Sequence, residues 1–142
     1  MRHRGGPCSR LAIAAAILCA SLAAGCHKPP VLSREAIRSL IESSAAFKEP
    51  SGVVFIDTTF RPGPNTRRQI VGFQGIEVKQ DGPFGIAGQT ATVNFTYRWT
   101  EGPLSGVVLR SKARMNSSGG DWKVYEDYLR DQLTKSEGGA EE

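Results

Sequence analysis

The chain has 142 residues, the length of one small domain with short appendages, and its formal net charge is +4 from 18 Lys and Arg against 14 Asp and Glu. It contains two histidines and three cysteines, and all five lie within the first 27 residues. The rest of the chain therefore cannot form a zinc site of the usual kind, and it cannot run a Ser-His or Cys-His mechanism.

The N-terminal segment has the organisation of a bacterial secretory signal. Residues 1–10 carry three arginines and no acid, and residues 11–24 form an apolar run, LAIAAAILCASLAA, that only Ser21 interrupts. A run of this length suits the hydrophobic region of a signal peptide, whereas a membrane-spanning helix needs about 20 residues. A buried core helix is disfavoured because the run has no polar face.

The apolar run ends in Leu22-Ala23-Ala24-Gly25-Cys26, which closely resembles the lipobox of bacterial lipoproteins. The resemblance covers residues 1–26, and its one departure is Ala23, where Leu usually stands three residues before the cysteine. It implies a signal peptide over residues 1–25, cleavage between Gly25 and Cys26, and a lipid anchor with palmitate-type acyl chains on Cys26. The alternative is a plain secretory signal that happens to contain a cysteine.

Signal removal changes the charge and the chemistry of the remaining 117 residues. Three arginines leave, so 15 Lys and Arg face 14 Asp and Glu and the net charge falls to +1. The basic character of the whole chain is therefore no argument for a nucleic-acid partner. Cys8 and Cys19 leave as well, and a lipidated Cys26 leaves no thiol for a disulfide, a metal or a nucleophile. We expect no cofactor and no metal.

The residue after the predicted anchor bears on location. In lipoproteins of two-membrane bacteria, Asp at this position favours retention in the inner membrane, and here the residue is His27. The resemblance therefore implies an outer-membrane lipoprotein with its domain facing the periplasm.

A tether and a helix are expected next. Residues 26–32 form the tether, because Pro29 and Pro30 favour an extended spacer. Residues 33–135 are expected to form one domain. Ser33 is a candidate N-cap of an amphipathic helix of about 14 residues that Pro50 stops. Its apolar positions recur at near-helical spacing and are Ile37, Leu40, Ile41 and Phe47.

Beyond Pro50 the pattern indicates strands. Residues 53–60 predict one strand and residues 69–79 a second, in which Gly72 and Gly75 mark a bulge or a bend. Residues 90–100 alternate most clearly, and residues 107–115 predict a fourth strand. Trp122 and Val124 begin a fifth after a hairpin connection, Tyr128 and its neighbours indicate a short helix, and residues 136–142 form a disordered acidic tail.

The predicted fold class is α+β, with one N-terminal amphipathic helix packed on a curved antiparallel sheet of four or five strands and a possible short C-terminal helix. The element order and the run GDWKV at residues 120–124 resemble small cystatin-like and NTF2-like domains. NTF2-like domains usually have more helix before the sheet. The resemblance implies a fold and no activity, because these folds host many functions.

Four basic residues form the candidate binding surface. If the strands over residues 90–100 and 107–115 pair across the turn at residues 101–105, Arg98 neighbours Val108, and three further cations face Thr96, Asn94 and Thr92. Those three cations are Arg110, Lys112 and Arg114. Such a strip suits an anionic glycan, a lipid headgroup or an acidic protein. The alternative is a solvated sheet face that is kept polar against aggregation.

Three other patterns yield weaker hypotheses. The glycine-rich segment at residues 82–88 lacks phosphate-loop spacing and precedes a strand, so we expect an inter-strand loop. An apolar ligand pocket between helix and sheet would be lined by Phe47, Phe55, Phe95 and Trp99. A hydrolase would need two facing carboxylates, and the spacing selects no pair among Asp57, Glu77, Asp81, Glu101, Asp121, Glu126, Asp127 and Asp131.

The leading hypothesis is a lipid-anchored, non-catalytic domain that binds or scaffolds an envelope component. A ligand-binding module and a carboxylate-dependent envelope hydrolase remain the alternatives.

Overall fold

A computed structural model describes residues 31–49, 52–55, 58–63, 65–82, 88–118 and 120–135. The predicted signal, the Gly25–Cys26 cleavage position and residues 26–30 of the predicted tether lie outside these residues. So do Asp57, the middle of the glycine-rich segment and the predicted acidic tail.

Two helices, six strands in antiparallel sheets and a final helix follow one another in this part of the chain, which confirms a mixed α and β architecture with a C-terminal helix. A four-stranded sheet has the order β3-β4-β5-β6, and β1 and β2 form a separate two-stranded sheet. The elements are α1 (Arg34–Ser43), α2 (Ala45–Lys48), β1 (Val53–Phe55), β2 (Thr58–Phe60), β3 (Arg68–Gln80), β4 (Gln89–Trp99), β5 (Val108–Asn116), β6 (Lys123–Val124) and α3 (Glu126–Thr134).

Ser44 separates two helices where the sequence predicts one. Its backbone is extended, and its N–H donates to the carbonyl of Ile41 at the end of α1. Its hydroxyl accepts from the N–H of Phe47 and so caps the start of α2. Serine is suited to the end of α1 and to the start of α2 because its short side chain competes with the helix for backbone hydrogen bonds. The break turns the chain so that Phe47 enters the core.

The single strand expected over residues 53–60 is wrong. This segment contains two short strands, and Val53 pairs with Phe60 across an antiparallel hairpin. The rings of Phe55 and Phe60 lie 5.4 Å apart, edge to face, a contact that one continuous strand would prevent. A run of β-branched and aromatic residues has the same pattern in one long strand as in a short hairpin, so the periodicity did not reveal the hairpin.

The bulges predicted in β3 are confirmed. Its register against β4 shifts between Ile70 and Gly72 and again between Phe73 and Gly75. Val71 and Gln74 are therefore the extra residues, and each shift returns the next apolar side chain to the core face.

The core lies on one face of the four-stranded sheet. Alternate residues of β4 are fully or almost fully buried, and the intervening residues are half-buried or exposed. The buried series is Ala91, Val93, Phe95, Tyr97 and Trp99. α1 packs against β3 and β6, and it contributes the buried Ile37 and Ile41. Its Glu42 also accepts the N–H of Ile70 at 3.1 Å, which satisfies a donor on the edge strand β3.

The C-terminal helix α3 packs against β5 and α2. It buries Leu129 and Leu133 in the core. At its first residue, Glu126 accepts from the N–H groups of Ala45 and Ala46 at 3.2 and 2.8 Å. This carboxylate caps α2 from a distant part of the chain and so fixes α3 beside the sheet. The strand that the sequence predicts as the fifth is β6, and it spans two residues.

Candidate functional site: the outer face of the sheet

The face of the four-stranded sheet opposite the core carries the predicted cation strip, and the predicted register is confirmed. Arg98 pairs with Val108, and the three other pairs are Thr96 with Arg110, Asn94 with Lys112 and Thr92 with Arg114. Side chains two apart on a strand share a face and repeat about every 6.6 Å, so Arg110 and Arg114 are about 13 Å apart. Three cations thus follow one line along β5.

Two glycines of β3 leave the outer face of the sheet without side chains at their positions. Gly72 lies opposite Thr96 and Gly75 opposite Asn94, on the same outer face. A side chain at Gly72 would begin 3.4 Å from the Thr96 hydroxyl. The outer face therefore carries long cations on β5, the short side chains of Thr92, Asn94 and Thr96 on β4, and bare backbone at Gly72 and Gly75 on β3.

Two of the clefts formed by the described residues lie on this face, and the larger of these two has a volume of about 440 Å³. It lies where the end of β3, the start of β4, β5 and the first turn of α3 meet. Its lining residues carry both charges and two phenol rings, and they are Lys79, Asp81, Thr90, Thr92, Arg114, Tyr125, Glu126, Asp127 and Tyr128.

Three contacts hold the aromatic and basic groups of the larger cleft in place. The guanidinium carbon of Arg114 lies 5.6 Å from the centre of the Tyr128 ring, a cation–π contact that orients the arginine. Tyr125 donates its backbone N–H to the carbonyl of Arg114 at 2.8 Å. Its hydroxyl also accepts from the Asn116 amide at 2.7 Å. The Tyr125 side chain is nevertheless 43% exposed.

Three of the candidate acids come together in the larger cleft, and two of them already serve the fold. Asp81 accepts from the hydroxyl of Thr90, and Glu126 caps α2. Asp127 makes no hydrogen bond or ion pair with the described residues.

Of the remaining candidate acids, three lie in surface ion pairs, and none of the three lines a cleft itself. Glu101 lies 3.9 Å from Arg67, Glu77 3.1 Å from Lys79, and Asp131 2.7 Å from Lys135. Asp121 is exposed at the start of the closing hairpin strand, outside both clefts.

The smaller cleft, of about 280 Å³, is rich in cations and amides. Its lining residues are Gln74, Asn94, Arg110, Ser111, Lys112, Gln132 and Lys135. Gln74 is the bulge residue of β3, so the register shift supplies one wall of this cleft. Two of the three predicted cations of β5 line the smaller cleft and the third lines the larger one. Arg98 lines neither of them.

Two cations of the strip are exposed and form no ion pair with the described residues. In the part of the chain that the structure describes, Lys112 and Arg114 form no ion pair, and both are exposed. Lys135 shares the smaller cleft but is bound to Asp131 one helical turn before it.

Arg68 is a charged residue that sequence reasoning missed. Its guanidinium donates to the carbonyls of Phe47, Ala46 and Glu49 at the end of α2, at 3.0, 3.0 and 2.6 Å. The Tyr97 ring is 5.8 Å away. Burial lowers the pKa of Arg68 from its ordinary value, and the neighbouring Tyr97 partly opposes this. Only the pairing of β3 with β4 places this arginine inside, so no local pattern could have found it.

The aromatic residues predicted to line an apolar pocket form part of the core. Phe47, Phe95 and Trp99 are buried to 97% or more, and the rings of Phe47 and Phe95 lie 6.3 Å apart. Phe55 packs against the same cluster. These side chains occupy the space between helix and sheet by contacting one another.

The ends of the glycine-rich segment close a connection between two antiparallel strands. The N–H of Asp81 donates to the carbonyl of Gly88 at 3.0 Å, directly beyond the pair Gln80–Gln89. The expected connection between two strands is confirmed at these ends, and the residues directly after Gly88 form strand β4, whereas a phosphate loop is followed by a helix.

Comparisons with protein families, with curated proteins and with solved structures found no match to this chain. No helix among the described residues is long and apolar enough to cross a membrane. The same residues contain no group of three or more His, Cys, Asp or Glu side chains placed to hold a metal ion.

Proposed function

We propose that this chain is a lipid-anchored envelope protein whose sheet binds an anionic component of the cell envelope. The proposal joins the lipobox-like sequence ending at Cys26 to the basic outer face of the sheet. In it, the signal is cut before Cys26, acyl chains hold the protein at the outer membrane, and the domain faces the periplasm. The helices α1 and α2 cover the apolar face, as the likeness to cystatin-like and NTF2-like domains implies, and the polar face is left for a partner.

One observation carries the binding proposal: Arg110, Lys112 and Arg114 follow one line on an open face, with their long side chains above threonine, asparagine and glycine. A fixed row of cations attracts anions and holds them by charge-assisted hydrogen bonds, particularly where arginine presents its planar fork to a carboxylate. The sheet also fixes the spacing of the cations, which reduces the entropy lost on binding.

A non-catalytic role is supported by the hydrogen bonds that already engage two acids of the larger cleft. Glycoside hydrolysis by two carboxylates needs one acid and one base or nucleophile that are both free to react. In the larger cleft, Asp81 is engaged by Thr90 and Glu126 by the start of α2. Among the described lining residues, Asp127 therefore has no second free carboxylate to act with it as the acid, base or nucleophile.

The test is capture of envelope components by the lipoprotein in detergent micelles at low and high salt. We expect partners that are retained at low salt and released at high salt, because salt screens exposed charge contacts. Replacing Arg110, Lys112 and Arg114 with serine should abolish capture. The matched control replaces three exposed cations elsewhere, Arg34, Lys48 and Arg61. Equal capture by the strip variant and the wild type would contradict the proposal.

A further inference from the structure

We infer that the anionic ligand is an acidic polysaccharide chain that lies along β5 against α3. This inference rests on the proposed function and specifies the ligand of the same surface.

The two clefts follow one another along β5, and we call them together the β5 groove. Its floor is the cation row Arg110, Lys112 and Arg114, of which the first two line the smaller cleft and the last lines the larger. Its wall is one face of α3. Tyr128 lines the larger cleft and Gln132 lines the smaller, at positions i and i+4 of α3. Lys135, the C-cap residue directly after α3, also lines the smaller cleft. Two clefts that follow one strand in line suit a linear polymer.

The side chains of the smaller cleft match a ligand that carries hydroxyls as well as acids. Gln74, Asn94 and Gln132 bring three amides beside the cations. Each amide offers both donors and an acceptor, which is what a row of sugar hydroxyls requires. A simple polyanion such as a polyphosphate has no donors to offer these acceptors.

The mixed charges of the larger cleft also favour a ligand that carries hydroxyls as well as acids. Asp81 and Asp127 line it together with Lys79 and Arg114. Carboxylates repel a ligand that is anionic throughout, such as a polyglutamate or a single-stranded nucleic acid. They accept hydrogen bonds from hydroxyls, however, so a chain that alternates acid groups with hydroxyls is compatible with both signs of charge.

Tyr125 supplies a stacking platform for a sugar ring. The residue is 43% exposed and lines the larger cleft, yet both its backbone and its hydroxyl are hydrogen-bonded to β5. An exposed ring held in one position binds the apolar face of a pyranose with little loss of side-chain entropy. An acidic peptide has no comparable flat, apolar face.

The experiment measures the dissociation constants of three probes for the lipoprotein in micelles by calorimetry. The probes are hexagalacturonate, hexaglutamate of equal charge, and neutral maltohexaose. We expect hexagalacturonate to bind at least about tenfold more tightly than either of the others. Tyr125→Ala should weaken hexagalacturonate about tenfold, as expected for loss of one aromatic contact, and should leave hexaglutamate unchanged. Tyr125→Phe, which keeps the ring, is the matched control, and thermal melts verify that both variants fold.

The outcomes separate this inference from the proposed function. If hexaglutamate binds as tightly as hexagalacturonate, or if Tyr125→Ala leaves hexagalacturonate binding unchanged, the ligand is not a polysaccharide. The proposed function still stands in that case, provided that serine at Arg110, Lys112 and Arg114 abolishes binding of the acidic probe. If those three substitutions change the binding of no probe, both proposals fail.

Discussion

Arg68 and Trp99 are direct cross-strand neighbours of β3 and β4, and the guanidinium carbon lies 4.8 Å from the centre of the indole ring. The same guanidinium binds the carbonyl groups at the end of α2. This one side chain therefore joins the sheet to the helices that cover it.

Replacing Arg68 with lysine should destabilise the domain by about 2–4 kcal/mol. Lysine is a point charge without a planar fork, so it loses the stacking and at least one charged hydrogen bond, each of which is worth about 1–3 kcal/mol. The measurement is urea unfolding, with Arg67→Lys as the control. Arg67 is exposed, and its substitution should cost less than about 0.5 kcal/mol. Equal losses in both variants would show that the Arg68 cluster contributes nothing.

Tyr97 should make stability fall at alkaline pH. Burial raises the pKa of its hydroxyl above the ordinary value of 10.0, although Arg68 opposes the shift. The folded state then retains a proton that the unfolded state releases. The resulting stability is fully present below about pH 10 and is lost as pH rises through the folded pKa. The Tyr97→Phe variant should lose less stability than the wild type between pH 9 and pH 11 in denaturant melts. Parallel curves would contradict the expected shift.

Alternation in β4 predicts opposite effects for adjacent residues. Phe95 is fully buried, whereas Thr96 lies on the outer face. We expect Phe95→Ala to cost about 3–5 kcal/mol, the usual range for a large core aromatic residue. Thr96→Ala should cost less than about 1 kcal/mol. Thermal and denaturant melts of the two variants decide the matter, and similar losses would mean that the two faces are assigned wrongly.

The pairing of β4 with β5 and the bulges of β3 could be predicted from the sequence because they depend on residues that are close together in the chain. Strict alternation in β4, a short turn and alternation in β5 leave one register that places the alternating apolar residues of β4 on the core face, so the partners of Arg110 and Arg114 could be named in advance. Two glycines also marked the bulges of β3 correctly. These features set the outer face and its cation row.

The remaining features depend on contacts between distant segments, which no pattern within a segment reveals. Ser44 breaks a helix whose apolar spacing continues across it, and Glu126 caps that second helix from the far end of the chain. The wall of the β5 groove was missed for the same reason. Tyr128 and Gln132 could be placed on a helix, but nothing in the sequence said that this helix flanks β5.

Lipidation is tested by Cys26→Ser. A serine has no thiol to form the thioether bond, so the variant should carry no fatty acid and should lose stable membrane attachment, since stable anchoring takes about two acyl chains. Metabolic labelling with a fatty-acid analogue, followed by membrane fractionation, measures both. Equal label in the wild type and the variant would rule out Cys26 as the anchor.

The central claim is that the row Arg110, Lys112 and Arg114 is a binding surface, and amide chemical-shift mapping tests it most directly. Residues 26–142, lipidated and in micelles, are titrated with hexagalacturonate at low salt. We expect saturable shifts concentrated in β5 and α3, which disappear at high salt and are absent when the three cations are serine. Shifts that cluster instead on α1 or on the β1–β2 hairpin, or that persist in the serine variant, would contradict the central claim.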